Sequence, residues 1–258
     1  MEREPKSLYQ LAIRRIADQN VPGDIVLRKH KNELTVEMIF DICAELNERL
    51  SRSKKVGKSL GMFMSNLDIF LEFLQLGHKR MTLHKIFESI NSLESHDKKL
   101  SQVLTEIFVE RLQDSSLQYP SCVHVGLNFA SFLSASGWYE EAIDVLRALN
   151  ESFSNVFPVE TQVSLNFRLL HAFSEYRRFD MAEKVLQKLS QMADNQMFKI
   201  TPQQMCEISN YYYWRSLYPD AHSWSMRAVR KITAMTPSRM IIDVLRQAGK
   251  LKKKALGK

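Results

Sequence analysis

The chain has 258 residues, of which 45% are apolar, 25% charged and 10% aromatic, with 36 Lys plus Arg against 29 Asp plus Glu for a formal charge of +7. This is globular composition, which excludes a disordered or fibrous polypeptide, and the length allows one large domain, two small ones or a solenoid. Eight Gly and seven Pro are too few for the turns of an all-β sandwich or barrel, so a mostly helical protein is favoured.

In chain order, helix-period patterns recur and strand-like alternation is nearly absent. Ser7 opens the first helix with a capping box, its hydroxyl facing the Gln10 amide while the Gln10 side chain returns to the Ser7 amide. That helix is predicted to end before Pro22-Gly23, and a second runs from about Thr35 to Leu50, followed by the basic break SRSKKVGK. The segments LGMFMSNLDIFLEFLQL and MTLHKIFESINSL come next, then a helix from about Lys98 to Leu112 and loop signals at Ser115-Ser116 and Tyr119-Pro120. The N-terminus has mixed charge and no apolar core, and the most apolar stretch, Leu60 to Leu76, is interrupted by Asn66, Asp68 and Glu72. Neither a signal peptide nor a membrane span is read there. Cys43, Cys122 and Cys206 lie far apart along the chain, so they form neither a C-x-x-C pair nor a disulfide framework, and a reducing compartment is the expected home.

Past residue 120 the chain repeats itself. The segment VGLNFASFLSASGWYEEAIDVLRAL carries Ala130, Gly137, Tyr139 and Ala142 at the offsets of the tetratricopeptide helical hairpin. Ala142 recurs as Ala182 and, after an almost equal step, as Ala221. An aromatic stands three positions before each alanine: Tyr139, Phe179 and Tyr218. The second helix of each hairpin needs a small residue where the first crosses closely, and an aromatic to fill the gap to the next hairpin. The small residue of the first helix runs Ala130, Leu170, Ser209, so the middle copy departs from the pattern. The expected fold is all-α: an N-terminal helical segment over 1–50, hairpins over 51–119, three repeats over 120–238, and a basic helix and tail over 239–258.

Chemistry is not evident. The chain lacks phosphate-binding glycine loops, the nucleophile elbow and H-E-x-x-H. The seven histidines, His30, His78, His84, His96, His124, His171 and His222, lack metal spacing. Asp18, Asp24 and Asp41 form no carboxylate pair that sequence alone supports. A non-catalytic protein with no cofactor and no metal is the expectation. The aromatics Tyr211, Tyr212, Tyr213 and Trp214 are candidate contacts for a bound protein, although helical spacing sends at least two of them into the stack.

Near the N-terminus, Leu8, Ala12 and Ile16 follow Ser7 at i, i+4, i+8 and share one helical face. The row resembles the BC box through which substrate receptors dock on elongin C, with Ala12 where cysteine is usual. Leu34, Met38 and Ile42 repeat the spacing and resemble a cullin box of the type that selects cullin 2, with Thr35 at its proline position. Together with FLSASGWYEEA, AVRKIT and IDVLRQA, these stretches resemble the amyloid protein-binding protein 2 family, tetratricopeptide substrate receptors of elongin BC-cullin 2 ubiquitin ligases, in a short or C-terminally truncated form. The resemblance implies elongin C and elongin B as partners through Leu8, Ala12 and Ile16, and cullin 2 through Leu34, Met38 and Ile42. It further implies clients with C-terminal degrons or cytoplasmic sorting tails such as that of amyloid precursor protein. The alternative it leaves open is a scaffold for intracellular protein transport that links such tails to microtubules. Cytoplasm, nucleus or cytoskeleton is the implied location.

The +7 is concentrated. Positions 239–258 hold seven Lys or Arg against Asp243 alone, which leaves +1 for the rest of the chain. A nucleic-acid surface would spread its cations and aromatic readers through the fold, so nucleic acid is not an expected partner. The terminal lysines read instead as the polar cap of a solenoid end.

Overall fold

Amphipathic segments of 11 to 18 residues become helices, and the computed structural model describes residues 8–18, 35–50, 64–80, 83–94, 99–114, 121–232 and 238–255. Among them are twelve helices and no strand, so the chain is all-α. In order these are α1 (Leu8–Asp18), α2 (Val36–Leu50), α3 (Leu67–Arg80), α4 (Leu83–Glu94), α5 (Leu100–Gln113) and α6 (Ser121–Ala135). Then follow α7 (Tyr139–Phe153), α8 (Val159–Glu175), α9 (Phe179–Asp194), α10 (Pro202–Trp214), α11 (Tyr218–Arg230) and α12 (Ser238–Ala255). The chain divides into two compact units, Met1–Ser136 and Gly137–Lys258, at the turn between α6 and α7.

In the first unit α1 packs on α2, α2 on α3 and α4, and α3 on α5 and α6. The core is aromatic. Phe70 meets Phe129 and Phe132 edge-on at 5.6 and 5.8 Å, Phe108 meets Phe129 at 5.6 Å, and Phe40 meets Phe73 at 5.7 Å. These are the edge-to-face distances at which ring quadrupoles attract. One boundary differs from the sequence pattern. The apolar stretch from Leu60 runs on through Asn66, yet α3 begins at Leu67. The reason is local: Asn66 Oδ1 accepts from the Ile69 amide at 3.2 Å, so its side chain caps the helix instead of extending it. Thr35 does the same for α2, its hydroxyl accepting from the Met38 amide at 3.3 Å. The capping box expected at Ser7 lies outside the described residues.

In the second unit α7 packs on α8, α8 on α9 and α10, α10 on α11, and both α10 and α11 on α12. Helices are thus paired in sequence order, with α8, α10 and α12 stacking on one another. Ala142, Ala182 and Ala221 are fully buried, as are Leu170 and Ser209 in the facing first helices, while Tyr139, Phe179 and Tyr218 are half-buried. In the first unit Ala130 is likewise buried. Ser209 also ties its hairpin together by donating its hydroxyl to the Ala221 carbonyl at 2.6 Å. The period is written into the backbone as well. Trp138, Arg178 and Leu217, which precede α7, α9 and α11, share φ near −85° and ψ of 65° to 69°.

Just before each of these stands a residue in the left-handed region: Gly137 at φ 88°, Arg177 at 62° and Ser216 at 62°. At the latter two, paired hydrogen bonds close the preceding helix: Arg178 N to Phe173 O with Arg177 N to Ser174 O, and Leu217 N to Tyr212 O with Ser216 N to Tyr213 O. This is the Schellman arrangement, in which glycine is favoured because a Cβ is penalised. Only the first copy uses glycine. Replacing exposed Ser216 by Gly relieves that penalty, and Ser216→Gly is expected to stabilise the protein by about 1 kcal/mol, less the entropy gained by the unfolded chain. Urea denaturation would measure this; a lower midpoint would contradict it.

Candidate functional site

Helix α1 is fastened to α2 by buried Ile13 and by an ion pair from Arg14 Nε to Glu45 Oε1 at 3.2 Å. The helical repeat places positions 8, 11, 12 and 15 on one face. Of these, Ala12 and Arg15 are exposed and Leu11 is 50% exposed. Leu11 stands off the i, i+4, i+8 row that the sequence pattern picks out, so that row alone does not reveal it. Leu8 and Ile16 belong to α1, but their side chains, like all of Ser7 and Leu34, lie outside the described residues. Of the remaining cullin-box positions, Met38 is half-buried and Ile42 is 1% exposed within the core of the first unit. Ile42 therefore serves packing in this structure.

A second surface lies along α8, α10 and α12. Arg168, His171 and Glu175 on α8 occur at i, i+3, i+7 and so share a face. The step that carries Ala182 to Ala221 carries these three to Glu207, Asn210 and Trp214 of α10, and the step that carries Ala142 to Ala182 carries Glu207 on to Gln247 of α12. All seven are half-buried. The bonds between helices repeat with the same register. His171 Nδ1 lies 3.1 Å from Glu207 Oε2, joining the second position of α8 to the first of α10. One period on, Gln247 Nε2 donates to Asn210 Oδ1 at 2.8 Å, joining the second position of α10 to the first of α12. The third positions meet directly: Trp214 Nε1 donates to Glu175 Oε1 at 2.8 Å. Arg177 lies over the Trp214 ring, 4.4 Å from its centroid, and donates to the Trp214 carbonyl at 3.3 Å.

Tyr211, the first of the four consecutive aromatics, is fully buried, and the other three are half-buried. The Tyr211 hydroxyl bonds to the Glu183 carboxylate, which also pairs with Arg215 Nη1 at 2.7 Å. Burial and the Glu183 hydrogen bond push the Tyr211 phenol up to about 12. Burial alone holds the Arg168 guanidinium below its ordinary range, so a cation sits in a partly dehydrated place. Among the described residues no cluster of three or more His, Cys, Asp or Glu is arranged to hold a metal ion, and no helix is long and apolar enough to cross a membrane.

Stacked hairpins with a polar, half-buried face define a helical-repeat architecture. No family profile matches the chain. It is similar to amyloid protein-binding protein 2 of Mus musculus, 26% identical over 265 residues that cover 97% of this chain and 43% of that protein. It is also similar to amyloid protein-binding protein 2 of Rattus norvegicus, at the same identity and coverage. The chain thus spans less than half the length of these relatives, whose names describe protein binding.

The hydrogen bond that His171 donates to Glu207, aided by the charges of Glu207 and Glu175 and opposed by burial, raises the His171 pKa. A raised folded value means that the pair stabilises the protein fully below the ordinary histidine range, and that this contribution is lost as pH rises through the raised value. Wild type should therefore exceed Glu207→Gln in urea midpoint by more at about pH 5.5 than at about pH 8.5. An equal difference at both values would contradict the assignment.

Proposed function

We propose that the chain is a non-catalytic adaptor of an elongin BC-cullin 2 ubiquitin ligase, docking on elongin C through the outer face of α1 and holding a client on the face formed by α8, α10 and α12. The carrying observation is the exposure of Leu11 and Ala12 on a helix that Ile13 and Arg14 fasten from the other side. Helix-in-groove recognition needs an apolar face held rigidly and left uncovered. Ala12 supplies a small residue that permits close approach, between Leu8 and Ile16, which occupy the anchor positions of a BC-box-like row. Elongin B would join through elongin C.

For cullin 2, the buried side chain of Ile42 narrows the contact to Leu34 and Met38, with Thr35 in the neighbouring cap position. A C-terminal degron or a membrane protein's cytoplasmic tail is the client class this reading favours. The cytoplasmic tail of amyloid precursor protein is the first to test, since both relatives are named for binding an amyloid protein.

Affinity purification from cells, read by mass spectrometry, tests the reading. Wild type should recover elongins B and C, and both Leu8→Arg and Ala12→Arg should lose them; because Ala12 is exposed, its replacement leaves the fold intact. Undiminished elongin with both variants would sink the proposal.

A further inference from the structure

The two bonds that join successive helices of the second unit differ in what they leave open. At the first, a carboxylate meets an imidazole, and charge is matched within the protein. At the second, both partners are neutral amides. Gln247 Nε2 donates to the Cys206 carbonyl at 3.1 Å, and a carbonyl can only accept, so this atom is the amide nitrogen. The same nitrogen then donates to Asn210, whose contacting atom at 2.8 Å must be the oxygen. These contacts fix both amide orientations. Asn210 Nδ2, a donor, and Gln247 Oε1, an acceptor, belong to two amides in contact across adjacent helices and have no partner among the described residues, in side chains that are half-buried.

A neighbouring donor and acceptor match the main chain of an extended peptide. In an extended strand the N–H and C=O of one residue point to the same side, which is how two antiparallel strands exchange a pair of hydrogen bonds. The two groups in contact at this rung are both neutral amides, whereas on the neighbouring rung Arg168 and His171 share a face with Glu175 and Glu207. A partly buried amide pair also gains more from a directed hydrogen bond than one in open water.

We infer that Asn210 and Gln247 grip the main chain of an extended client segment, Asn210 Nδ2 donating to a residue's C=O and Gln247 Oε1 accepting from the N–H of that same residue. The client is then held at this point by its backbone, with side-chain selection left to the flanking positions. This rests on the reading of the α8, α10 and α12 face as the client surface.

The test uses the full chain and a phage-displayed library of random peptides, with selected peptides synthesised and measured by fluorescence anisotropy. Asn210→Asp keeps an oxygen that accepts from Gln247 and exchanges the open donor for a charged acceptor. It should weaken every selected peptide about tenfold, the effect of losing one well-made hydrogen bond. Gln247→Ala should weaken them to a similar extent. N-methylation of one peptide main-chain amide should cost wild type the same factor and cost Gln247→Ala nothing more, whereas alanine at that peptide position should be tolerated. Thermal melts establish that each variant folds, and either variant alone decides the matter. Selected peptides that bind both variants as tightly as wild type overturn the inference and leave the client-surface reading standing. Failure of wild type to select any peptide overturns that reading, and the inference with it.

Discussion

Close crossing of paired helices at a methyl-sized side chain is the constraint on which the second unit depends. Ala182 and Ala221 are buried to 0%, and a larger side chain there would force a packed interface apart. Once the α8–α9 and α10–α11 hairpins are closed at their alanines, α8, α10 and α12 can stack with a nearly constant step along the sequence. The bond between Ser209 and the Ala221 carbonyl shows how directly the crossing is read by its neighbour. The left-handed residues serve the same geometry. Arg177 and Ser216 accept an unfavourable backbone conformation because the turn into the next helix must have the form that Gly137 adopts easily.

A nearly constant step explains why unlike side chains occupy like positions. Arg168, Glu207 and Gln247 are one structural position; His171 and Asn210 are another; Glu175 and Trp214 are a third. The bonds between them are homologous in place and different in chemistry: an imidazole with a carboxylate, then two amides. The alanine and aromatic offsets are legible in the sequence because crossing geometry demands one residue size at one spacing. The polar face is not, because its positions keep location and exposure while changing charge and hydrogen-bonding type. The step from Ala182 to Ala221, applied to half-polar helical faces and not only to alanines, is the signal that finds it.

The first unit is legible in a different measure. Its helices follow from apolar periodicity, and its core from phenylalanines that alternate around Phe70 and Phe129. The start of α3 at Leu67 escapes that periodicity because a polar residue within an apolar run looks like an interruption, when Asn66 instead satisfies a free amide of the helix it begins. The row Leu34, Met38 and Ile42 shows the limit of periodicity more clearly. A stripe at i, i+4, i+8 defines a face but not which side of the helix the rest of the chain will cover. Neighbouring Ile39 and Phe40 are buried as well, so the core claims a broad sector of α2 that includes Ile42. On α1 the same ambiguity falls the other way, since Ile13 takes the core and Ala12 faces out.

The neutrality of the second rung has an energetic consequence that separates it from the first. An ion pair in a partly buried place must retain its partner, because removing one leaves a dehydrated charge, and such a rung resists being remodelled by a ligand. A pair of amides carries no net charge and has four hydrogen-bonding groups, of which the bond between them uses only two. The remaining donor and acceptor can be satisfied by water or by a polypeptide without breaking the contact that holds α10 to α12. Stability of the stack and capacity for a ligand therefore do not compete at Asn210 and Gln247, as they would at His171 and Glu207. The charged rung is suited to fixing the register of the helices, and the amide rung one period later is suited to being shared.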